Sequence, residues 1–373
     1  MVAQLLWKES GISRVEISRK LDLYRSTVSN IINSLIDHGI VLEGEEGAAM
    51  AQGGRKPIYL ALNEKFGCVV GMELQPNGYH AVILNVFGSV LYSCEGLLPE
   101  GSFEMIIDYI LELLHPHILD TSIPLLGICV GMPGVIDSGN GVIVLSDPFQ
   151  LTVFDFSKKL SAKYSIPFIV ENDANCLAWM ELANNRGVDL KSFICLNAEY
   201  QLKDSRFGEP AGMSLGIGVA IGGSVYSGSK YAAGEFVSLS WRGDKAGQTG
   251  LDDVILNTLE SDPQSFAQWT VDLFESLLPV ISVLDPAKVF LHGELARHSD
   301  IVKEIVASRV PQFNILLKRS LCAVEFGDGS NYSVAIGAAL MYFLYLFMIP
   351  GGSTGAIGSA IDWDTVFELS ERR

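Results

Sequence analysis

A chain of 373 residues, 49% hydrophobic and with 37 glycines, has room for two or three domains around a sizeable α/β core, which excludes disorder. Six scattered cysteines (Cys68, Cys94, Cys129, Cys176, Cys195 and Cys322) form no CxxC pair, which excludes a disulfide framework and a zinc knuckle. Residues 1–65 carry eight Lys and Arg against eight Asp and Glu, so the whole net charge of -17 falls on the rest, and a neutral head on an acidic body suggests two separate tasks.

The opening "MVAQLLWKESG" has no basic head before a long apolar run, so no cleavable leader is expected and the cytoplasm is the expected compartment. Ile12, Val15, Ile17 and Leu21 predict a short core helix, with Leu23 following through a turn. Ser26 is placed to cap a second helix in which Val28, Ile31, Ile32 and Leu35 share one face. The opposite face carries Ser26, Ser29, Asn30 and Asn33, whose short hydrogen-bonding side chains suit base edges and phosphates in a major groove. "GIVLE" and "PIYLALN" then alternate as two strands around a Gly-rich loop ending in Arg55 and Lys56. A cationic hairpin tip beside a recognition helix reads as a wing, where charges hold phosphates and set position. The order predicts a winged helix-turn-helix DNA-binding domain over residues 1–63, with Arg25, Ser26, Thr27, Ser29, Asn30, Asn33, Arg55 and Lys56 as DNA contacts.

The body opens with β runs at residues 68–74 and 79–86 around a turn of Pro76, Asn77 and Gly78; a third strand follows Gly88 and a helix spans 102–114. Strand, hairpin, strand and helix in that order open one half of an actin-like nucleotide-binding fold. The next strand, "LLGICVGMPGVID", runs into a loop of Gly131, Pro133 and Gly134. Near the end, "VAIGAALMYFLYLFMI" (334–349) is uncharged but shorter than the roughly 20 apolar residues a bilayer requires, and is expected to be a buried helix.

"GICVGMPGVID", "VENDANCLAWMEL", "AAGEF", "LDPAKVFLHGEL" and "AIGAAL", behind the "GGRKP" wing, make the chain resemble the ROK family of sugar kinases and sugar-responsive repressors over nearly its whole length. The resemblance implies two actin-like (ribonuclease H-like) lobes, at 64–180 and 181–335, with a C-terminal helix over 336–373 packing back on the first. It also implies a sugar site in which Asn172, Asp173, Glu235 and Gly134 meet the ligand. In family kinases the acid at Asp173 takes the proton of the sugar hydroxyl, a role that suits a carboxylate at a strand end within reach of the attacking oxygen. A plainer role is also open, in which Asn172 and Asp173 cap the following helix.

Departures from the family pattern bear on activity. The first phosphate loop of family kinases has Asp, Gly and Thr at alternate positions, where this chain has Glu73, Gln75 and Asn77. A second Gly-rich phosphate turn aligns with "GMSLG" (212–216), putting Met213 for Thr and Ser214 for Gly, and residues 199–211 read as an insertion ahead of it. Phosphoryl transfer rests on positioning and charge stabilisation, so no kinase activity is expected, no catalytic residue is assigned and Asp173 is taken as the remnant of a base. The family's zinc-binding His and Cys are missing from "AGEFVSLSWRGDKAGQTGLDDV"; neither metal nor ATP is expected as a cofactor, and Phe236 and Trp241 are the residues expected to brace that loop.

These readings converge on a transcriptional regulator of sugar metabolism, a repressor, with operator DNA, a sugar or sugar-derivative effector and a second copy of the chain as partners, and no membrane. The competing possibilities are a sugar kinase with a regulatory DNA-binding head, a scaffold whose cleft binds nothing, and an activator.

Overall fold

The computed structural model describes residues 1–46, 56–201, 212–243, 247–347 and 361–371. The head begins with a helix the sequence reading did not foresee, α1 (Val2–Lys8), followed by β1 (Ile12–Ser13), α2 (Arg14–Leu21), α3 (Arg25–Asp37), β2 (Val41–Glu46) and β3 (Ile58–Leu62). Ile12 is therefore in a strand, and α2 starts after Ser13, whose hydroxyl accepts from the Glu16 amide while Glu16 reaches back to it, a reciprocal cap. The expected cap at Ser26 is corrected: α3 starts at Arg25 with Tyr24 at the cap position, which leaves Ser26 inside the first turn. Val28, Ile32 and Leu35 are buried, but Ile31 is largely exposed because it lies at the edge of the apolar stripe. The strands order as β1-β3-β2, all antiparallel.

The first lobe comprises β4 (Cys68–Gln75), β5 (Gly78–Asn85), β6 (Val90–Gly96), α4 (Phe103–Thr121), β7 (Leu125–Met132), β8 (Val135–Asp137), β9 (Val142–Ser146), β10 (Leu151–Asp155), α5 (Phe156–Tyr164), β11 (Phe168–Asn172) and α6 (Asp173–Asn184). The second has β12 (Phe193–Gln201), β13 (Gly212–Ile221), β14 (Ser224–Val225), α7 (Asp253–Leu256), α8 (Pro263–Leu284), β15 (Lys288–Gly293), α9 (Glu294–Arg297), α10 (Ser299–Arg309), α11 (Pro311–Ser320) and β16 (Ala323–Phe326). The main sheets run β11-β7-β4-β5-β6 and β14-β13-β12-β15-β16. Counted within its own lobe each reads 5-4-1-2-3 or its reverse, an antiparallel three-strand ribbon extended by two parallel strands, so one supersecondary plan is used twice. That duplication is the actin-like architecture the motifs predict. Residues 212–216 were expected in a turn, and the structure places them in β13, where Met213 pairs with Tyr200 and Ser214 with Glu199. The strands continue past the expected turn, and residues 202–211, which join them, lie outside the described residues.

Among the described residues the C-terminal region holds two helices, α12 (Ser333–Phe347) and α13 (Trp363–Glu371), where one over 336–373 was expected. The uncharged α12 is buried between the first-lobe sheet and α6. Among the described residues one helix, α8, is long and apolar enough by composition to cross a membrane, yet it buries Phe266, Trp269, Leu273, Phe274, Leu277 and Ile281 in the second-lobe core. Helix α6 is approached from both sides by bare backbone. A Cβ on Gly218 would stand 2.3 Å from the Ala174 carbonyl oxygen, and one on Gly337 2.1 Å from that of Cys176, so neither position admits a side chain. The head is tied down by α1: Trp7 Nε1 donates to the Val86 carbonyl at 2.9 Å, and its ring stacks on Phe347 at 5.0 Å.

Candidate functional site

Between the two sheets lies a polar cavity of about 110 Å³, lined by residues of β4, the loop after β7, the β11–α6 junction, β12, β13 and the loop around Glu235. Asn172, Asp173, Glu235 and Gly134 all line it. Asn172 serves the structure as well: its side chain accepts from the Asn175 amide at 3.2 Å, capping α6, and donates to the Gly134 carbonyl at 3.2 Å. Glu171 braces the junction from behind, accepting from the Asn172 amide at 2.7 Å, from Asn175 Nδ2 at 3.1 Å and from Trp179 Nε1 at 3.4 Å.

Asp173 is buried, and both of its oxygens are engaged. Oδ1 accepts from the Ala174 amide at 2.8 Å and Oδ2 from Gln75 Nε2 at 3.1 Å. Gln75 also donates to Glu73 at 3.2 Å, and Glu73 faces His80 Nδ1 at 3.1 Å, so a chain of polar contacts runs from Asp173 to the middle of the first lobe. Burial is the largest influence on the Asp173 carboxyl and Glu73 adds repulsion, which together push its pKa up to about 6 despite the two donors. Burial lifts Glu199 to about 7, against the opposing charge of Arg297, and raises Glu235, with Asp147 adding to it. At His80 burial disfavours the cation, but Glu73, Glu95 and Glu199 outweigh it and the pKa rises.

The loop around Glu235 is held by the backbone and by hydroxyls. Gly234 has φ of +93°, and a Cβ there would stand 1.8 Å from the Ile217 carbonyl oxygen, so only glycine lets the loop lie against β13. Gln248 pairs with the Leu215 backbone through both ends of its amide, at 2.8 and 2.6 Å. Ser238, Ser240 and Thr249 form a hydroxyl chain that ends on Asp272 of α8, while the Leu239 amide donates to Ser276. Phe236 packs on the second core as expected, but the bracing comes mainly from this polar network. Paired hydroxyls and an amide, with no thiolate or imidazole, do not suit zinc, so the family's metal does not fit this segment.

Sequence reasoning missed Asn197, Glu199 and Gln248, all of which line the cavity. The signal was present for two of them: polar residues two apart in the otherwise apolar "FICLNAEYQ" project from the same face of β12.

In the head, Arg25, Ser26, Thr27, Asn30 and Asn33 are exposed on α3 and Ser29 is partly buried. Lys56 is exposed just before β3, and Arg55 lies outside the described residues. Tyr24, at 85% exposure, joins the same end of the helix and was not foreseen.

Comparison with known proteins gives this arrangement a family. The ROK family description matches residues 99–237, and a winged helix-turn-helix DNA-binding description matches residues 4–41. The xylose repressor of Staphylococcus xylosus is 30% identical over 243 residues, 63% of this chain and 58% of the relative, so the chain matches less than two thirds of that protein. A beta-glucoside kinase of Listeria innocua is 30% identical over 111 residues, 30% of this chain and 33% of the kinase. A crystal structure of a ROK family transcriptional regulator, a homolog of the E. coli MLC protein, superposes with a TM-score of 0.70 at 15% identity over 98% of each chain, which establishes the shared fold. Both repressors and kinases thus stand among its relatives, and the chain carries a match to the ROK family over residues 99–237 behind a match to a winged helix-turn-helix DNA-binding domain over residues 4–41.

Proposed function

We propose that the chain is a sugar-responsive transcriptional repressor that works as a cytoplasmic homodimer, with operator DNA on the α3 face and a sugar or sugar derivative in the interlobe cavity. The observation that carries this reading is the division of the cleft. Its effector side keeps Asn172, Asp173, Glu199 and Glu235 around one cavity, while the side where a kinase would hold polyphosphate presents the carboxylate of Glu73. Anionic side chains repel a triphosphate, and Gln75 fills the space that a glycine would leave open beside Asp173. ATP does not fit such a donor set. The similarity to a xylose repressor supports the DNA-binding role.

Domain limits of 1–63, 64–180 and 181–335 go with this reading. In it, the ligand moves the repressor only by as much as it prefers one lobe arrangement to another. A change in lobe angle is felt at the head because Trp7 and Phe347 join them, and it alters the spacing of two recognition helices across the dimer. Mobility-shift titration of DNA flanking the chain's own gene, with and without a panel of sugars, tests the proposal; operator affinity indifferent to every sugar would defeat it. Retention of Asp173 at a strand end favours the sugar kinase as a second reading, and a coupled assay for ADP release with the same panel separates the two.

A further inference from the structure

Resting on the effector-site reading above, we infer that Glu199, together with Asp173 and Glu235, makes the cavity a seat for a polyol bearing a protonated amine, an amino sugar with a free ammonium group, and turns away phosphorylated and uronate sugars. Among the described residues the lining includes these three carboxylates and no Lys, Arg or His. Arg297 is the nearest counter-charge to Glu199, but it is already committed: it donates to both Glu199 oxygens at 3.1 and 3.4 Å, to Asn331 at 2.8 Å and to Glu294. One guanidinium shared by two acids leaves the cavity with an excess of negative charge.

A second observation points to an absent ligand. Asn197, only 5% exposed, lines the cavity beside Glu199, and its amide makes no side-chain hydrogen bond among the described residues. Its polar atoms are not sealed in the protein but open into the cavity, where they are free to bond a ligand. Glu235 likewise has no side-chain partner there. Ionised carboxylates only accept hydrogen bonds, so the set demands a ligand rich in donors. A neutral sugar hydroxyl supplies one donor and brings lone pairs with it; an ammonium group supplies three donors and no acceptor. The upward shifts of Asp173 and Glu199 reflect burial and the repulsion of neighbouring carboxylates, Glu73 and Glu235 at Asp173 and Glu73 and Glu294 at Glu199, and a bound cation relieves that repulsion. An anionic ligand increases it.

Calorimetric titration of the full-length chain at neutral pH with glucosamine, glucose, N-acetylglucosamine and glucose 6-phosphate tests the inference. Glucosamine is expected to bind about tenfold tighter than glucose, on the order of 1.4 kcal/mol. Acetylation removes the charge and brings the affinity back to that of glucose, and the phosphate ester binds weakest. Added salt shrinks the glucosamine advantage in the unaltered chain, and Glu199→Gln brings the ratio to near one. Glucose binding as tightly as glucosamine, or the phosphate ester binding best, overturns the inference and leaves the effector reading standing. Failure of all four to bind, with no change in melting temperature, defeats both.

Discussion

The two sides of the cleft differ in what their side chains already hold. On the sugar side the acids face a cavity: Glu235 is unpaired among the described residues, and Asp173 is met only by the adjacent Ala174 amide and by Gln75. On the opposite side Glu73 is already met by Gln75 and His80. A binding site is recognised by unspent hydrogen-bonding capacity, and by that measure one half of the cleft is open and the other is closed. Resemblance alone gives the two halves equal standing.

The largest effect that sharpens this contrast is on stability. Asp173 has a folded pKa of about 6 against an ordinary 3.8, so the folded chain keeps a proton that the unfolded chain has released. Stability is unaffected by this group below pH 3.8, falls as the pH climbs to about 6 and then levels, losing on the order of 3 kcal/mol. Glu199 extends the fall towards pH 7. Urea melts across that range should show the slope, and Asp173→Asn should flatten it; an equally steep curve in the variant would mean the carboxyl is not strained as described.

Next comes ligand affinity. Asp173→Ala removes charged acceptors on the open side and should weaken effector binding on the order of a hundredfold by calorimetry, since a hydrogen bond to a charged group contributes roughly 1.5–3 kcal/mol. Asn30→Ala should weaken operator binding about tenfold in a mobility shift and leave effector affinity unchanged, because a lost bidentate base contact is worth roughly 1–3 kcal/mol. The smallest effect is expected from Gln75→Gly, which frees the second oxygen of Asp173. Effector affinity should rise about threefold, as befits a neutral hydrogen bond of roughly 0.5–1.5 kcal/mol, without ADP release in the coupled assay. Release of ADP by that variant would show that the closed half can be reopened by one substitution.

Much of this was legible beforehand. The order of helix, turn, helix and wing follows from periodicity, and the first-lobe strands fall within a residue or two of their predicted places because alternation and turn residues mark them. Helix α1 was missed because seven residues give too few turns for a 3.6 period to stand out. Ser26 was a plausible cap by residue type, but cap geometry depends on where the backbone turns, and here that is Tyr24. The stretch 212–216 looked like a turn by composition; only pairing with β12 reveals a strand. Asn172, Asp173, Glu235 and Gly134 were reachable through motifs and Glu199 through its alternation with Asn197 in β12, whereas Gln248 comes from a segment without a local signature and enters the cavity through tertiary folding.

One consequence lies in helix α6. Its first residue is Asp173, and it is seated against Gly218 on one side and Gly337 on the other, with backbone touching backbone. Surfaces without interlocking side chains resist separation but have no teeth to resist turning. The acid that lines the cavity therefore begins the one helix that both glycine strips press against, so a variant that alters the chemistry at that tip also loads this smooth contact.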